Sequence, residues 1–292
     1  MSGAHSFREQ PFIAVDVLVE AHEYRGVAKA KTTATAKAAT RAKTPVKAEA
    51  AEPKTARKAV KAQAAGAERF EGFADGEMRF FRALAKHQDR DWFAEHKGEY
   101  EEGWAKPMAA LLSEVREAVD SAYPDCELGE PKVFRIYRDV RFGKDKSPFK
   151  THVSGVITAK PRSKVTEAPA AFYLQLGTET FAGAGLYMMD ARALTSFRTA
   201  VLDDERGGEV AGMLQKLEKK GFEASAAEEL KSAPRGIDPD HPRIGLLKRK
   251  GLVVSFPTLP VELIESRKVL DWAIAQAKLS APLVRWLVYN TV

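Results

Sequence analysis

The chain has 292 residues, of which 45% are hydrophobic and 29% are charged. This composition supplies both a core and a wetted surface, and it excludes collagen-like, disulfide-framework and membrane-spanning proteins. The single cysteine, Cys126, cannot form an internal disulfide. Because no convincing targeting segment is found either, we expect a cytoplasmic protein that does not enter a membrane.

The formal net charge of +6 is distributed unevenly along the chain. Residues 28–66 contain ten cations against Glu49 and Glu52, so this stretch carries +8. The ten cations are Lys29, Lys31, Lys37, Arg41, Lys43, Lys47, Lys54, Arg57, Lys58 and Lys61. Residues 1–27 carry −2, and residues 67–292 are electrically balanced. The basic character therefore belongs to a tail that precedes the main part of the chain.

This tail, residues 28–66, is rich in Ala, Lys, Thr and Pro and has only Val46 and Val60 as large aliphatic residues. Such a composition cannot offset the entropy of ordering, so the tail is predicted to be disordered. It is similar to the lysine- and alanine-rich tails of linker histones, which favours non-specific nucleic-acid binding through phosphate neutralisation. An equally weighted alternative is a solvated linker that its own charges keep extended. Residues 1–27 are either a short appendage or an extension from a misassigned start codon.

Three helices are predicted after the tail. Asp75 and Asp91 are candidate N-caps for the first two, and Pro107 opens the third at a favoured first-turn position. The apolar residues at helical spacing are Met78, Phe81, Leu84, Trp92, Tyr100, Met108, Leu111, Leu112, Val115 and Val119. These elements indicate a helical N-terminal layer.

From residue 132 the hydrophobic period drops to two, which predicts strands at 132–138, 152–159 and 171–176. The connection between the last two is too short and polar for a crossover helix, so the strands are expected to be antiparallel. Helices beginning after Asp190 and ending before Gly221, a strand at 252–256 and helices within 261–288 follow. We therefore predict an α+β fold: a helical N-terminal layer, a central mainly antiparallel sheet and C-terminal helices, in one domain at 67–292.

The segment 135–152 contains far more charge than an ordinary strand and turn. Six cations lie between Arg135 and Lys150 against only Asp139 and Asp145. Arginine forks and a mobile lysine suit a phosphate or carboxylate, so an anion site is predicted. Its candidate ligands are Arg135, Arg138, Arg141, Lys146 and Lys150. The alternative is a structural network that pairs Arg138 with Asp139, or Arg141 with Asp145.

Catalysis at such a site would need a base or nucleophile beside the bound anion. Asp139 and His152 are the nearest candidates in sequence. His241, within the segment Asp238-Pro239-Asp240-His241-Pro242, is a further candidate, and this segment is either a metal site or a rigid turn. The sequence assigns no cofactor, metal or oligomeric state. An enzyme acting on a phosphorylated substrate, a module binding a small anion or nucleic acid, and an interaction protein with a cationic anchor all remain open.

The charged segment also carries a family resemblance. The run Arg135-x-x-Arg138-Asp139-x-Arg141-Phe142-x-x-Asp145-Lys146-x-x-Phe149-Lys150 resembles the hallmark of domain-of-unknown-function family 2461, whose members are bacterial and fungal. The same resemblance includes Phe70-x-Gly72-Phe73, Asp91-Trp92-Phe93, Gly183-x-Gly185, Pro234-x-Gly236 and Asp240-His241-Pro242. It implies one domain over roughly 70–290 and suggests functional residues without a reaction. Phe149 departs from the pattern, which usually has Tyr there.

Overall fold

A computed structural model describes residues 69–140, 145–161 and 170–291 of the chain. These residues contain helices at both ends of the sequence and an antiparallel sheet between them, so the prediction of an α+β fold is confirmed. The predictions made for residues 1–27 and for the basic tail lie outside the described residues. So does Arg141.

The N-terminal layer consists of α1 (Arg79–Lys86), α2 (Arg90–Tyr100) and α3 (Lys106–Val119). A π-helical turn, Glu101–Ala105, joins α2 directly to α3, so the last two form one continuous rod. The sequence predicted separate helices because Pro107 reads as a helix start. Pro107 instead occupies the first turn of α3 directly after the π-helical segment, and the Gly103 carbonyl of that segment accepts from the Ala74 N–H at 3.2 Å.

The caps of α1 and α2 differ from the prediction. Met78, in the left-handed conformation with φ 56°, precedes α1, while the Asp75 carboxylate accepts hydrogen bonds from the N–H groups of Glu77 and Arg79. Asp89, and not Asp91, caps α2 by accepting from the Trp92 N–H at 2.7 Å. Asp91 lies in the first turn, where its charge favourably faces the positive end of the helix.

The sheet has seven strands. They are β1 (Cys126–Leu128), β2 (Lys132–Val133), β3 (His152–Pro161), β4 (Ala170–Gly177), β5 (Phe181–Leu186), β6 (Glu223–Ser225) and β7 (Leu252–Ser255). Their order is β1-β3-β4-β5-β7-β6, β2 pairs with β3, and every pairing is antiparallel. Cys126 begins β1 and is buried. The strand predicted at 132–138 ends at Val133, because the chain then leaves the β3 edge.

Four helices complete the fold. They are α4 (Ala191–Leu202), α5 (Asp204–Glu218), α6 (Ile244–Lys248) and α7 (Lys268–Asn290). The predicted cap of α4 is confirmed, since the Asp190 carboxylate accepts from the Ala193 N–H at 2.8 Å. Across the described ranges, no helix is both long and apolar enough to cross a bilayer.

The main core lies between one face of the sheet and the helices α3 and α7. Val153 and Ile157 of β3 and Leu174 of β4 are fully buried on this face. Gly155 lets α3 approach β3 closely, because a Cβ there would collide with Leu112 Cδ1. The side chains on the opposite face of β3 and β4 are therefore not part of the main core.

The start of the domain is tied to this core by Glu114 of α3. Its carboxylate accepts from the Phe70 N–H at 2.7 Å and forms an ion pair with Arg267, which also donates to the Phe70 carbonyl at 2.6 Å. Hydrogen bonding from Arg267 holds the pKa of Glu114 below its usual range. One ion pair thus joins the first described residues to α3 and to the start of α7.

Candidate functional site

The described parts of the charged segment, on either side of residues 141–144, lie antiparallel to each other between β2 and β3, and we call these two arms the hairpin. The Arg138 N–H donates to the Pro148 carbonyl at 2.9 Å, and the Lys150 N–H donates to the Ile136 carbonyl at 2.8 Å. A single β-bridge joins Tyr137 to Phe149. Backbone hydrogen bonds therefore join the two arms before the second arm continues into β3.

The simple alternation predicted for the first arm does not hold. Phe134 and Ile136, expected on one face, are both buried, but Phe134 packs with Val156 and Tyr173 while Ile136 joins the main core. The chain therefore turns between them. Arg135, beside Phe134, is exposed to solvent.

Arg138 bridges the two arms of the hairpin. Its Nη1 lies 3.2 Å from Asp145 Oδ2, and its side chain is only 15% exposed. Asp145 also accepts from the Ser147 N–H at 2.9 Å and hydroxyl at 2.7 Å. These Ser147 donors, followed by the charge of Arg138, hold the pKa of Asp145 below its usual value. The described ion pair thus joins Arg138 to Asp145, a pairing that the sequence analysis did not consider.

Three further contacts hold the hairpin in place. The exposed Lys146 donates through Nζ to the Val140 carbonyl at 2.7 Å. The Phe149 N–H donates to Gln88 Oε1 at 3.1 Å, and the Phe149 ring stacks on Phe93 of α2 with ring centroids 4.5 Å apart. Phe149 is buried among aromatic rings, so the helical layer positions the second arm.

Four polar side chains meet on the sheet face that is turned away from the main core. We call Lys150, His152, Ser154 and Gln175 the polar face, and they are 2%, 3%, 1% and 3% exposed. Successive side chains of a strand point to opposite faces, so His152 and Ser154 share one face of β3. Gln175 of β4 lies directly opposite Ser154 in the strand register. The pairing of β3 with β4 therefore assembles this cluster.

Aromatic residues surround the polar face. Phe134, Val156 and Tyr173 form a small buried cluster against which Phe181 packs. The Tyr173 hydroxyl donates to Gln175 Oε1 at 2.9 Å, which fixes the orientation of that amide. The ammonium group of Lys150 lies 5.7 Å from the centre of the Phe134 ring, close enough for a cation–π contact. The cation is thus held beside an apolar wall.

This concentration of polar groups is unusual for the interior of a sheet protein. Among the described residues, five polar or charged side chains are fully buried, and four of them form the polar face. The fifth, Ser280, bonds to carbonyl groups within its own helix α7. Burying polar groups is costly unless they are hydrogen-bonded, so such clusters mark either a functional site or a structural network.

His241 lies apart from this cluster. Its described hydrogen bonds stay within its own turn, where the Arg243 N–H donates to Nδ1 at 3.1 Å. Asp238 accepts from the Asp240 N–H at 2.9 Å in the same turn. Throughout the described ranges, no group of three or more His, Cys, Asp or Glu residues is arranged to hold a metal ion.

The structure thus places the predicted site residues in three settings. Lys150 and His152 lie on the polar face, and Arg135 is exposed beside Phe134 at its margin. Arg138, Lys146 and the half-buried Asp139 belong to the hairpin. His241 is in a separate turn. The sequence analysis did not include Ser154, Tyr173 and Gln175, although the period of two places Ser154 with His152 and Tyr173 with Gln175.

The comparisons bear on family membership. No curated protein and no solved structure matches the chain. The family model described as conserved hypothetical protein (DUF2461) matches residues 77–286, which include the hairpin, the whole sheet and most of α7. The family membership that the sequence suggested is therefore confirmed, and the chain belongs to the DUF2461 family.

Proposed function

We propose that the polar face binds a small anion, either a phosphate or a carboxylate group of a metabolite. The observation that supports this proposal is the burial of a lysine together with three hydrogen-bonding side chains on a face that the main core does not use. An ammonium supplies positive charge, while a serine hydroxyl and a glutamine amide supply directed donors. Together they match the needs of an oxyanion.

The surrounding cations extend this role. Lys132 is exposed with its ammonium 4.9 Å from the Phe134 ring, and Arg135 is exposed next to Phe134 in the sequence, so both cations raise the local concentration of anions. Arg138 and Lys146 hold the hairpin closed through Asp145 and Val140, so their part in binding is to position Lys150. Asp139 lies between Arg138 and Val140 in the first arm of the hairpin.

His152 is the group that would extend binding to catalysis. It lies two residues from Lys150 on the same face, beside the position proposed for the anion. An imidazole can act as general acid or base in phosphoester hydrolysis. An enzyme acting on a phosphorylated substrate is therefore the form of this function that His152 favours, with Asp139 as a candidate carboxylate, since the nearer Asp145 is already paired with Arg138.

We expect phosphate, sulfate or one of a panel of nucleotides to raise the thermal unfolding midpoint of the protein. An anion at 100 times its Kd adds about 2.7 kcal/mol to the stability of the folded state. Lys150→Met keeps most of the side-chain volume but removes the charge, so this gain should disappear. Lys150→Arg, which keeps a cation, should retain part of it. Differential scanning calorimetry of the three proteins with each anion measures the effect.

Lys132→Met is the matched control. Lys132 lies on the same face with its ammonium 4.9 Å from the Phe134 ring, but it is exposed. Its loss should weaken the anion effect only slightly and should leave unfolding in plain buffer unchanged. The proposal fails if no anion stabilises the wild-type protein, or if Lys150→Met gains as much as wild type does.

We propose a second, independent function for the tail, namely non-specific binding of nucleic acid. It is supported by the contrast between the net charge of +8 on residues 28–66 and the balanced charge of residues 67–292. A neutral net charge on residues 67–292 disfavours extensive contact with a duplex, whereas ten clustered cations can neutralise phosphates.

A full-length variant with the ten tail cations replaced by glutamine tests this second function. If four cations of the wild-type tail contact phosphates, the logarithm of the association constant should fall with the logarithm of salt concentration with a slope of about −3.6. The glutamine variant should show weaker binding and a slope near zero in fluorescence anisotropy with duplex DNA. Equal affinity and equal slopes for both proteins would exclude the tail as the binding element.

A further inference from the structure

A second candidate site lies at the β6 edge of the sheet, outside the polar face. Here α5, β6 and α6 line a cavity of about 500 Å³ that is open to solvent, which we call the edge cavity. Small-molecule sites typically measure roughly 300 to 1,000 Å³. The apolar side chains that line it are Leu214, Leu217, Phe222, Leu246 and Val254. Its size and lining suit the apolar body of a small molecule.

Two arginines, one before α6 and one after it, also line the edge cavity. Arg243 is 15% exposed and Arg249 is 18% exposed. Arg249 is neutralised by Glu229 at 3.0 Å and also donates to the Ala224 carbonyl at 3.1 Å. Of the two, Arg249 is therefore already matched by a carboxylate.

The charge of Arg243 is matched less well. Its Nε donates to the Val201 carbonyl at 2.8 Å, and its Nη2 contacts the Leu202 and Asp203 carbonyls, which end α4 and supply only partial negative charge. Its ionic partner is Asp204 at 3.1 Å, whose side chain is fully exposed, so water screens that pair. Arg243 Nη1 makes no hydrogen bond to any residue that the structure describes. A largely buried cation with spare donors therefore borders an apolar cavity.

The acidic residues of the lining restrict the charge of a ligand. Glu218 and Glu223 contribute to the edge cavity, and both are exposed. They would repel a dianion such as a phosphate monoester more strongly than a ligand with one negative charge. The lining thus favours a ligand with a single charge.

We propose that the edge cavity binds a small organic acid that has an apolar body and one carboxylate. The carboxylate pairs with Arg243, and the apolar body packs against Leu217, Phe222 and Leu246. This site would be separate from the anion site proposed on the polar face, which lacks a comparable aliphatic lining.

Octanoate is a suitable probe, with octanol as the uncharged molecule of equal chain length. Saturation-transfer NMR on the full-length protein should show binding of octanoate, and octanol should bind about tenfold more weakly, which corresponds to about 1.4 kcal/mol. Gly245→Leu should abolish octanoate binding, because Gly245 lines the cavity and a Cβ there meets no atom within 4 Å. The new side chain would occupy the space of the ligand.

Gly208→Leu is the matched control for this variant. Gly208 lies in α5, a Cβ there also meets no atom within 4 Å, and the residue does not line the cavity. Both substitutions replace a helical glycine with a better helix former, so both proteins should fold. Octanoate binding that survives Gly245→Leu, or octanol binding as tight as that of octanoate, overturns the proposal. Loss of binding in the Gly208→Leu control would also overturn it.

Discussion

Replacing Trp104 by alanine should lower the free energy of unfolding by about 3 to 5 kcal/mol. The Trp104 side chain is 1% exposed. It stacks on Phe73 at 5.8 Å between ring centroids and contacts Phe81 at 4.7 Å, so it joins the start of the domain to α1. Its removal leaves a cavity that the continuous rod of α2 and α3 cannot collapse to fill. Urea unfolding followed by circular dichroism measures the loss.

Trp92→Ala provides the comparison within the same layer. Trp92 is half-buried on α2, where its ring stacks between His96 at 4.0 Å and His87 at 5.4 Å. Less of its surface leaves water on folding, so the expected loss is less than half of that for Trp104. Equal losses for the two variants would contradict the packing described for the π-helical turn.

The parts of the fold that the sequence predicts well are those with a repeated local signal. Strand β3 carries Val153, Val156, Ile157 and Thr158 within its ten residues, and the apolar stripe of α3 runs along most of that helix, so each signal outweighs local exceptions. Asp190 is a correct cap because the apolar spacing begins immediately after it. Fold class follows from such elements because they set the layers and the direction of the strands.

Short elements and boundaries could not be predicted in the same way. Strands β1 and β6 have three residues each, too few to show a period, and they exist because β3 and β7 offer edges to pair with. The choice of Asp89 over Asp91 as a cap depends on backbone angles that the residue type does not determine. The left-handed Met78 is likewise set by the packing around α1.

The same contrast between local sequence signals and tertiary pairing applies to the candidate site. Charge density alone identified the segment that contains Lys150 and His152. Gln175 was not identified, because its position opposite Ser154 depends on the register between β3 and β4. The pair between Arg138 and Asp145 depends on how the hairpin folds back, and spacing along the chain does not reveal it. Tertiary pairing therefore decides which charges are structural.

The register that assembles the polar face should be sensitive to one methyl group at Gly177. Gly177 ends β4 directly opposite His152, and a Cβ there would collide with the Thr151 carbonyl oxygen and lie 2.5 Å from His152 Cα. Gly177→Ala should therefore push β4 away from the start of β3 and cost about 1 to 3 kcal/mol, as overpacking does. It should also weaken the stabilisation by anions that we expect at Lys150. Urea unfolding with and without phosphate measures both effects.

Gly98→Ala is the matched control. Gly98 lies in α2 with no atom within 4 Å of an added Cβ, so alanine there should stabilise the protein by roughly 0.5 to 1 kcal/mol and leave the phosphate effect intact. If Gly177→Ala is as stable as wild type, the close approach of the two strands beneath the polar face is wrong.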